Sequence, residues 1–260
     1  MEPDQIMPEG KMRILISGIL GAMGHEVEKL VRAGMRGAVL AGGVDVNAAD
    51  DGYDVPVVTS FSDATTDADC IIDFSHHAAT AELTAFAVSN RIPLVLATTG
   101  QTDEEKQMIF DAAKTIPVFF ASNYSLGVAL LVELAKKAAA AMPDAEIEII
   151  EAHHNRKIDA PSGTALTLAE EIKTVRTDAQ ITTGRTGHGK RLPNEIGIQS
   201  IRMGNIVGMH EVMIGTANQT ITLKHEAHSR ALFAEGALSA AAFLQGKGPG
   251  LYDMKCLVAD

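Results

Sequence analysis

The 260-residue chain carries 22 Lys and Arg against 33 Asp and Glu, a formal net charge of −11, with 46% hydrophobic residues and two cysteines. That length and apolar content suit one large globular domain or two modest ones, each with a real core. The acidic balance, without any basic run, argues against nucleic acid or an anionic membrane as partner, and two cysteines are too few for a disulfide framework.

Met1 to Gly10 is acidic and bears Pro3 and Pro8, so it reads as a leader without the basic flank and apolar centre of a signal peptide. No apolar run reaches the length of a membrane helix, and Cys70 and Cys256 read as packed thiols in a reducing cytoplasm. Met12 to Ile16 is a short apolar strand, followed by a turn holding Gly18, Gly21 and Gly24 and by Val27, Leu30 and Val31 at helical spacing. Val39 to Val44 reads as a second strand ending at Asp45, and Ile71 to Phe74 as a third. Ala78 to Val88 is helical, Pro93 to Ala97 a strand running into Thr98-Thr99-Gly100, Asp103 to Ala113 a helix with an acidic first turn, and Val118 to Ala121 a further strand. This alternation predicts an α/β fold, a Rossmann-like, doubly wound parallel sheet.

The pattern changes after Asn123. Leu126 to Met142 predicts a long Ala-rich helix, Glu146 to Glu151 an alternating strand and Ala165 to Val175 a helix. From Ile196 to Leu223, strand-like runs are broken at Gly204-Asn205, Gly208 and Gly215 with no helix between them, which predicts an antiparallel or mixed sheet in a second, α+β domain. Arg230 to Leu244 is helical and is expected to return to the first domain. The expected division is therefore 1–123, rejoined by about 230–260, and 124–229.

Two segments carry chemistry. In Gly18-Ile19-Leu20-Gly21-Ala22-Met23-Gly24 the glycines are spaced as a variant of the dinucleotide fingerprint: they allow a tight turn and close approach of a pyrophosphate to a helix start. Asp45, at the end of the second strand, reads either as an acceptor for ribose hydroxyls or as a solvated strand-end carboxylate. As a ribose ligand it would repel a 2′-phosphate, and Val46, Asn47 and Ala48 offer no cation to bind one, so NADH is expected over NADPH.

The second segment, Glu151 to Ala165, brings together His153, His154, Lys157 and the turn Pro161-Ser162-Gly163-Thr164. Histidine titrates near neutrality, lysine supplies a positive charge, and a helix start has N–H groups and a dipole that favour a carboxylate or phosphate. A small anion that takes a proton during reaction is the substrate this suggests. The bland alternative is two satisfied core histidines beside an ordinary helix cap. Glu151 and Asp159 read as partners that orient the loop, Arg230 either as a carboxylate ligand or as a helix-surface arginine, and His76 and His77 as surface histidines at a strand end.

The stretch Glu151 to Ala165, together with Ala97-Thr98-Thr99-Gly100, Ala121-Ser122-Asn123-Tyr124 and Gly250-Leu251-Tyr252-Asp253-Met254, resembles the dihydrodipicolinate reductases (4-hydroxy-tetrahydrodipicolinate reductases) of the diaminopimelate route to lysine, over close to the full length. The resemblance implies His153 and Lys157 as the proton-transferring pair, with Ser162 in the substrate turn and His154, Gly163 and Thr164 on the substrate carboxylates. It places Gly18, Ile19, Leu20, Gly21, Ala22 and Met23 along the pyrophosphate, Asp45 at the ribose, and Ala97, Thr98, Thr99, Ala121, Ser122, Asn123 and Tyr124 around the rest of NADH or NADPH. It also implies a Rossmann-like domain with a substrate and tetramerisation domain, a homotetramer, and no metal. Two departures stand out: Ala22 where many relatives have Arg, and Val46 where they often have a basic residue. Both point toward NADH. A dehydrogenase acting on another small amino dicarboxylate, or a nucleotide sensor without chemistry, remain rival readings; the paired histidines with Lys157 favour a dicarboxylate enzyme.

Overall fold

The structure, a computed structural model, describes residues 10–49 and 52–259, so the expected leader lies outside the described residues except for Gly10. In chain order the first elements are β1 (Met12–Ser17), α1 (Ala22–Arg32), β2 (Ala38–Val44), β3 (Val57–Val58), β4 (Cys70–Asp73), α2 (Thr80–Asn90), β5 (Leu94–Leu96), α3 (Asp103–Ala112) and β6 (Pro117–Phe120). There follow α4 (Leu126–Ala141), β7 (Glu146–His153), α5 (Gly163–Lys173), β8 (Gln180–Thr183), β9 (Glu195–Arg202), β10 (Gly208–Gly215) and β11 (Thr220–Ala227), then α6 (Ala231–Leu244), β12 (Gly250–Tyr252) and α7 (Met254–Val258).

The described residues form two compact units, one of 10–49, 52–124 and 231–259 and the other of 125–230. The first holds a seven-stranded sheet in the order β12-β6-β5-β4-β1-β2-β3. Every neighbouring pair is parallel. Its central strand β4, Cys-Ile-Ile-Asp, is buried along its whole length, as a strand covered by helices on both faces must be. The strand order reverses between β1 and β4, and ligands of open α/β sheets bind at such a point, beyond the carboxyl ends of the strands. The Ala-rich helix α6 packs on α1 and on β4, β5 and β6, with Ala234, Ala237, Leu238, Ala240, Ala241 and Leu244 buried. One face of the sheet builds its core from Leu15, Ile71, Leu94, Leu96 and Val118 against Leu83, Ala87 and Ile109 of α2 and α3.

The second unit is a mixed sheet in the order β11-β10-β7-β9-β8, where β10 is antiparallel to both neighbours and β7, β9 and β8 run parallel. Helices α4 and α5 cover one face, packing Leu131, Val132, Ala135, Leu168 and Ile172 on Ile147, Ile149, Ile198, Val212 and Ile214. Alternation along β10, buried at every second residue, follows from the period of two in strand side chains.

Some boundaries differ from the sequence reading. Helix α5 opens at Gly163 because the Ser162 hydroxyl caps it, accepting from the Ala165 amide at 3.2 Å. A 3₁₀ turn over His77–Ala79, capped by His76, precedes α2, which therefore begins two residues later than expected. Strands β3, β8 and β12 lacked a signal because they are two, four and three residues long, too short to show alternation.

Candidate active site

In the first unit the chain leaves β1 at Ser17 and turns through Gly18 to Gly21 into α1. Gly18 has φ +77°, and a Cβ there would sit 2.7 Å from the Phe74 carbonyl oxygen at the end of β4. A Cβ on Gly24 would lie 2.0 Å from the Gly18 carbonyl oxygen, so only glycine lets the helix rise this close to the turn. No side chain caps α1 at Gly21 and no acidic residue stands in its first turn, which leaves its N–H groups facing outward. This is the form of a backbone cradle for a diphosphate.

Asp45, just past β2, reaches this turn. Its Oδ2 accepts from the Leu20 amide at 3.1 Å and its Oδ1 from the Asn47 amide at 3.0 Å. Val46 beside it is 83% exposed and brings no charge. Ile19 is fully buried, so only its backbone faces the turn, whereas Ala22 is exposed and Leu20, Gly21 and Met23 are half-buried.

The ends of β4, β5 and β6 complete the rim. Asp73 is buried, accepts from the hydroxyls of Ser17 and Ser75 at 2.6 Å each, and has its carboxyl pushed up by burial against those hydroxyls. Thr98 Oγ1 acts on the same carboxylate without hydrogen-bond geometry and is a buried orphan among the described residues, as a ligand-binding hydroxyl would be. Ala97 is buried, Thr99 and Ser122 are exposed, and Ala121 and Asn123 are half-buried. Tyr124 differs from the expected role: its side chain is buried, its hydroxyl lies 2.9 Å from the Leu96 and 3.0 Å from the Phe119 carbonyl, and burial raises its pKa. It braces β5 against β6, and only its backbone is left for a cofactor.

The second unit brings the histidine segment to a different kind of site. Glu151 and His153 lie near the end of β7, on the same face two residues apart. Glu151 is fully buried and takes four N–H groups. Its Oε2 meets His153 Nδ1 at 2.6 Å and Arg202 Nη1 at 2.8 Å; its Oε1 accepts from Arg202 Nη2 at 2.7 Å and the Ser162 amide at 3.1 Å. Burial alone would push this carboxyl up, but the Arg202 guanidinium, helped by Ser200, His153 and the Ser162 amide, outweighs it and holds the pKa at about 2. The group is an anion at any working pH.

His210 of β10 packs edge-on to His153, ring centroids 5.2 Å apart, and its Nε2 is hydrogen-bonded with the Ser162 hydroxyl at 3.0 Å. Burial chiefly, then the neighbouring His153, lowers its pKa to about 4. Ser162 is thereby committed to the protein: its hydroxyl serves His210 and the α5 cap, and its amide serves Glu151. Gly163 is exposed with open space where a Cβ would stand, and half-buried Thr164 follows it in the first turn. Lys157 Nζ pairs with Asp159 Oδ1 at 2.8 Å. His154 is held toward its neutral form by burial and then by Arg156, Arg230, His153 and Lys157, so positive charge gathers around it. Arg230 belongs to that cluster electrostatically. Among the described residues no group of three or more His, Cys, Asp or Glu is placed to hold a metal ion.

Comparison with known proteins bears on both units. Residues 12–124 match the model described as dihydrodipicolinate reductase, N-terminus, and 127–258 the one described as dihydrodipicolinate reductase, C-terminus. The chain belongs to the dihydrodipicolinate reductase family. Its similarity to the 4-hydroxy-tetrahydrodipicolinate reductase of Caldanaerobacter subterraneus subsp. tengcongensis is 44% identity over 249 residues, covering 95% of this chain and 98% of that one. The enzyme of the same name from Akkermansia muciniphila is 43% identical over 247 residues, covering 93% and 96%. A solved structure of dipicolinate-bound dihydrodipicolinate reductase from Paenisporosarcina sp. TG-14 superposes with a TM-score of 0.78 at 27% identity, covering 94% of this chain and 98% of that one.

Within the framework of a dihydrodipicolinate reductase, the structure brings His153, Lys157, His154, Ser162, Gly163 and Thr164 together around the end of β7 and the start of α5. Sequence reading missed Arg202 and His210, which arrive from β9 and β10. Neither stands near a motif, and a lone Arg or His in an alternating strand carries no signal of its own. His76 and His77 are engaged locally: His76 caps a turn, and His77 Nδ1 lies 3.0 Å from Glu105.

Proposed function

We propose that this protein reduces 4-hydroxy-tetrahydrodipicolinate to tetrahydrodipicolinate with NADH or NADPH, as an oxidoreductase of diaminopimelate and lysine biosynthesis. Membership of the family supports the reaction. The observation that carries the reading at the level of residues is the buried, ionised Glu151 holding His153 beside the start of α5, with Lys157 in the same loop. A proton donor, a cation and a helix start are what a small dianion that must be protonated requires.

The first unit would hold the dinucleotide: the α1 amides at the diphosphate, Asp45 at the ribose, and the β5 and β6 ends with Thr98 at the remainder. The bound nicotinamide supplies the hydride. The chain's own residues do the rest. Lys157 and the Gly163 and Thr164 amides neutralise and orient the substrate carboxylates, with His154 completing their surround. Water loss from the hydroxy compound gives a conjugated cyclic imine; once it is reduced, an electron-rich enamine remains, and His153 delivers the proton that completes the reaction. General acid catalysis by a positioned group is typically worth about 10²–10⁴-fold.

NADH is the preferred donor in this reading, because Asp45 would repel a 2′-phosphate and Val46 brings no cation to it. A homotetramer in the cytoplasm completes the proposal; size-exclusion chromatography with light scattering tests the assembly. The reaction is tested by supplying pyruvate, aspartate semialdehyde and a dihydrodipicolinate synthase to the purified protein and following NADH and NADPH separately. Synthase-dependent oxidation, faster with NADH, is expected. Nucleotide binding without oxidation of either would overturn the reading.

A further inference from the structure

The four N–H groups on Glu151 do more than satisfy a buried charge. An ionised carboxylate only accepts, so the contact at 2.6 Å requires His153 Nδ1 to carry a hydrogen in both the neutral and the cationic ring. Nε2 is then the nitrogen whose proton comes and goes. The same carboxylate is clamped in the plane of the Arg202 guanidinium by two parallel bonds of 2.7 and 2.8 Å, and it receives the Ser162 amide from the residue that caps α5. Arg202 also donates to the backbone carbonyl of Asp159 at 2.6 Å, the same residue whose side chain pairs with Lys157. Ring, helix start and cationic loop therefore refer to one carboxylate.

We propose that Glu151, aligned by Arg202, is the positioning residue of the reaction: it selects the His153 tautomer that offers its proton from Nε2 and fixes that nitrogen relative to the anion-binding start of α5. The inference rests on the reductase reading above. The groups that face His153 are Glu151 on its own strand, Arg202 opposite it on β9, His210 on β10 and His154 next in the chain, while Lys157, paired with Asp159, acts on His154 and His210. Of these, Glu151 alone accepts from the ring.

The test uses the full-length protein in the synthase-coupled assay. Glu151→Gln keeps shape but offers an amide that can donate to Nδ1, which would place the ring hydrogen on the wrong nitrogen. The expected result is a kcat about 10²-fold lower or more, with KM within a few-fold, the signature of an interaction that matters in the transition state. The pH profile of the variant should also differ from that of the wild type, because the group that accepts from the ring is no longer an anion. In a His153→Ala background the same substitution should change kcat less than threefold, because there is no ring left to position. Glu151→Asp should recover part of the loss.

Removing one partner from a buried ion pair often impairs folding, so a second measurement uses the unaltered protein. Its ¹⁵N imidazole spectrum should show His153 protonated at Nδ1 when neutral. An active wild type with a neutral His153 protonated at Nε2, or a folded Glu151→Gln variant with unchanged kcat and pH profile, overturns the inference while leaving the reductase reading intact. An inactive wild type would instead remove the reading on which it rests.

Discussion

Two helix starts, α1 in the first unit and α5 in the second, which we propose as the anion sites, are built by opposite means. At α1 the cradle is made by subtraction: Gly18 and Gly24 have no room for a Cβ, no side chain caps Gly21, and the first turn carries no acid. At α5 it is made by wiring: Ser162 caps the helix, and its amide and hydroxyl run to Glu151 and His210. A backbone cradle suits a cofactor that arrives with its own chemistry. A wired one suits a substrate that must exchange protons with the protein.

The contrast can be broken most severely at the acid. His153→Ala should lower kcat by about 10²–10⁴-fold and leave NADH affinity, read by fluorescence titration, close to wild type. Gly24→Val acts on the other side: with the added carbon 2.0 Å from a backbone oxygen, the turn must open, and the variant should lose roughly 2–4 kcal/mol of stability in urea unfolding together with nucleotide binding. Lys157→Ala should raise KM and lower kcat together, since in the proposed reaction the cation serves both the ground state and the developing charge; a change in KM alone would reduce it to a binding group. Asp45→Asn with Val46→Arg should move the ratio of NADH to NADPH rates toward NADPH by about tenfold, roughly the worth of one charge-assisted hydrogen bond.

The smallest effect sharpens the comparison through pH. His210 has its pKa lowered to about 4 by burial, so the unfolded chain binds the extra proton first and stability falls as pH drops from the usual histidine range toward 4. Glu151, held at about 2, adds a loss of the same sign below the ordinary carboxylate range. Thermal melting between pH 7 and about pH 4 should therefore show a decline that His210→Gln flattens in its upper part. Equal slopes in both proteins would mean that His210 does not titrate with folding.

The sequence by itself determined the glycine turn, the alternation of the first unit, the mixed sheet of the second, and the clustering of His153, Lys157 and the Ser162 turn. Each of these is written in spacing over a few residues, and local backbone geometry is enough to read it. Only the tertiary structure decided that Tyr124 is a brace with its hydroxyl turned into the sheet, that Ser162 is committed to the protein, and that Arg202 and His210 stand beside His153. Those two residues are 49 and 57 positions from His153 along the chain. They reach it because β9 and β10 pair with β7 on either side in a definite register, His153 opposite Arg202 and Glu151 opposite His210. Register is a property of the assembled sheet, set by burying one face of every strand at once, and no single segment carries it.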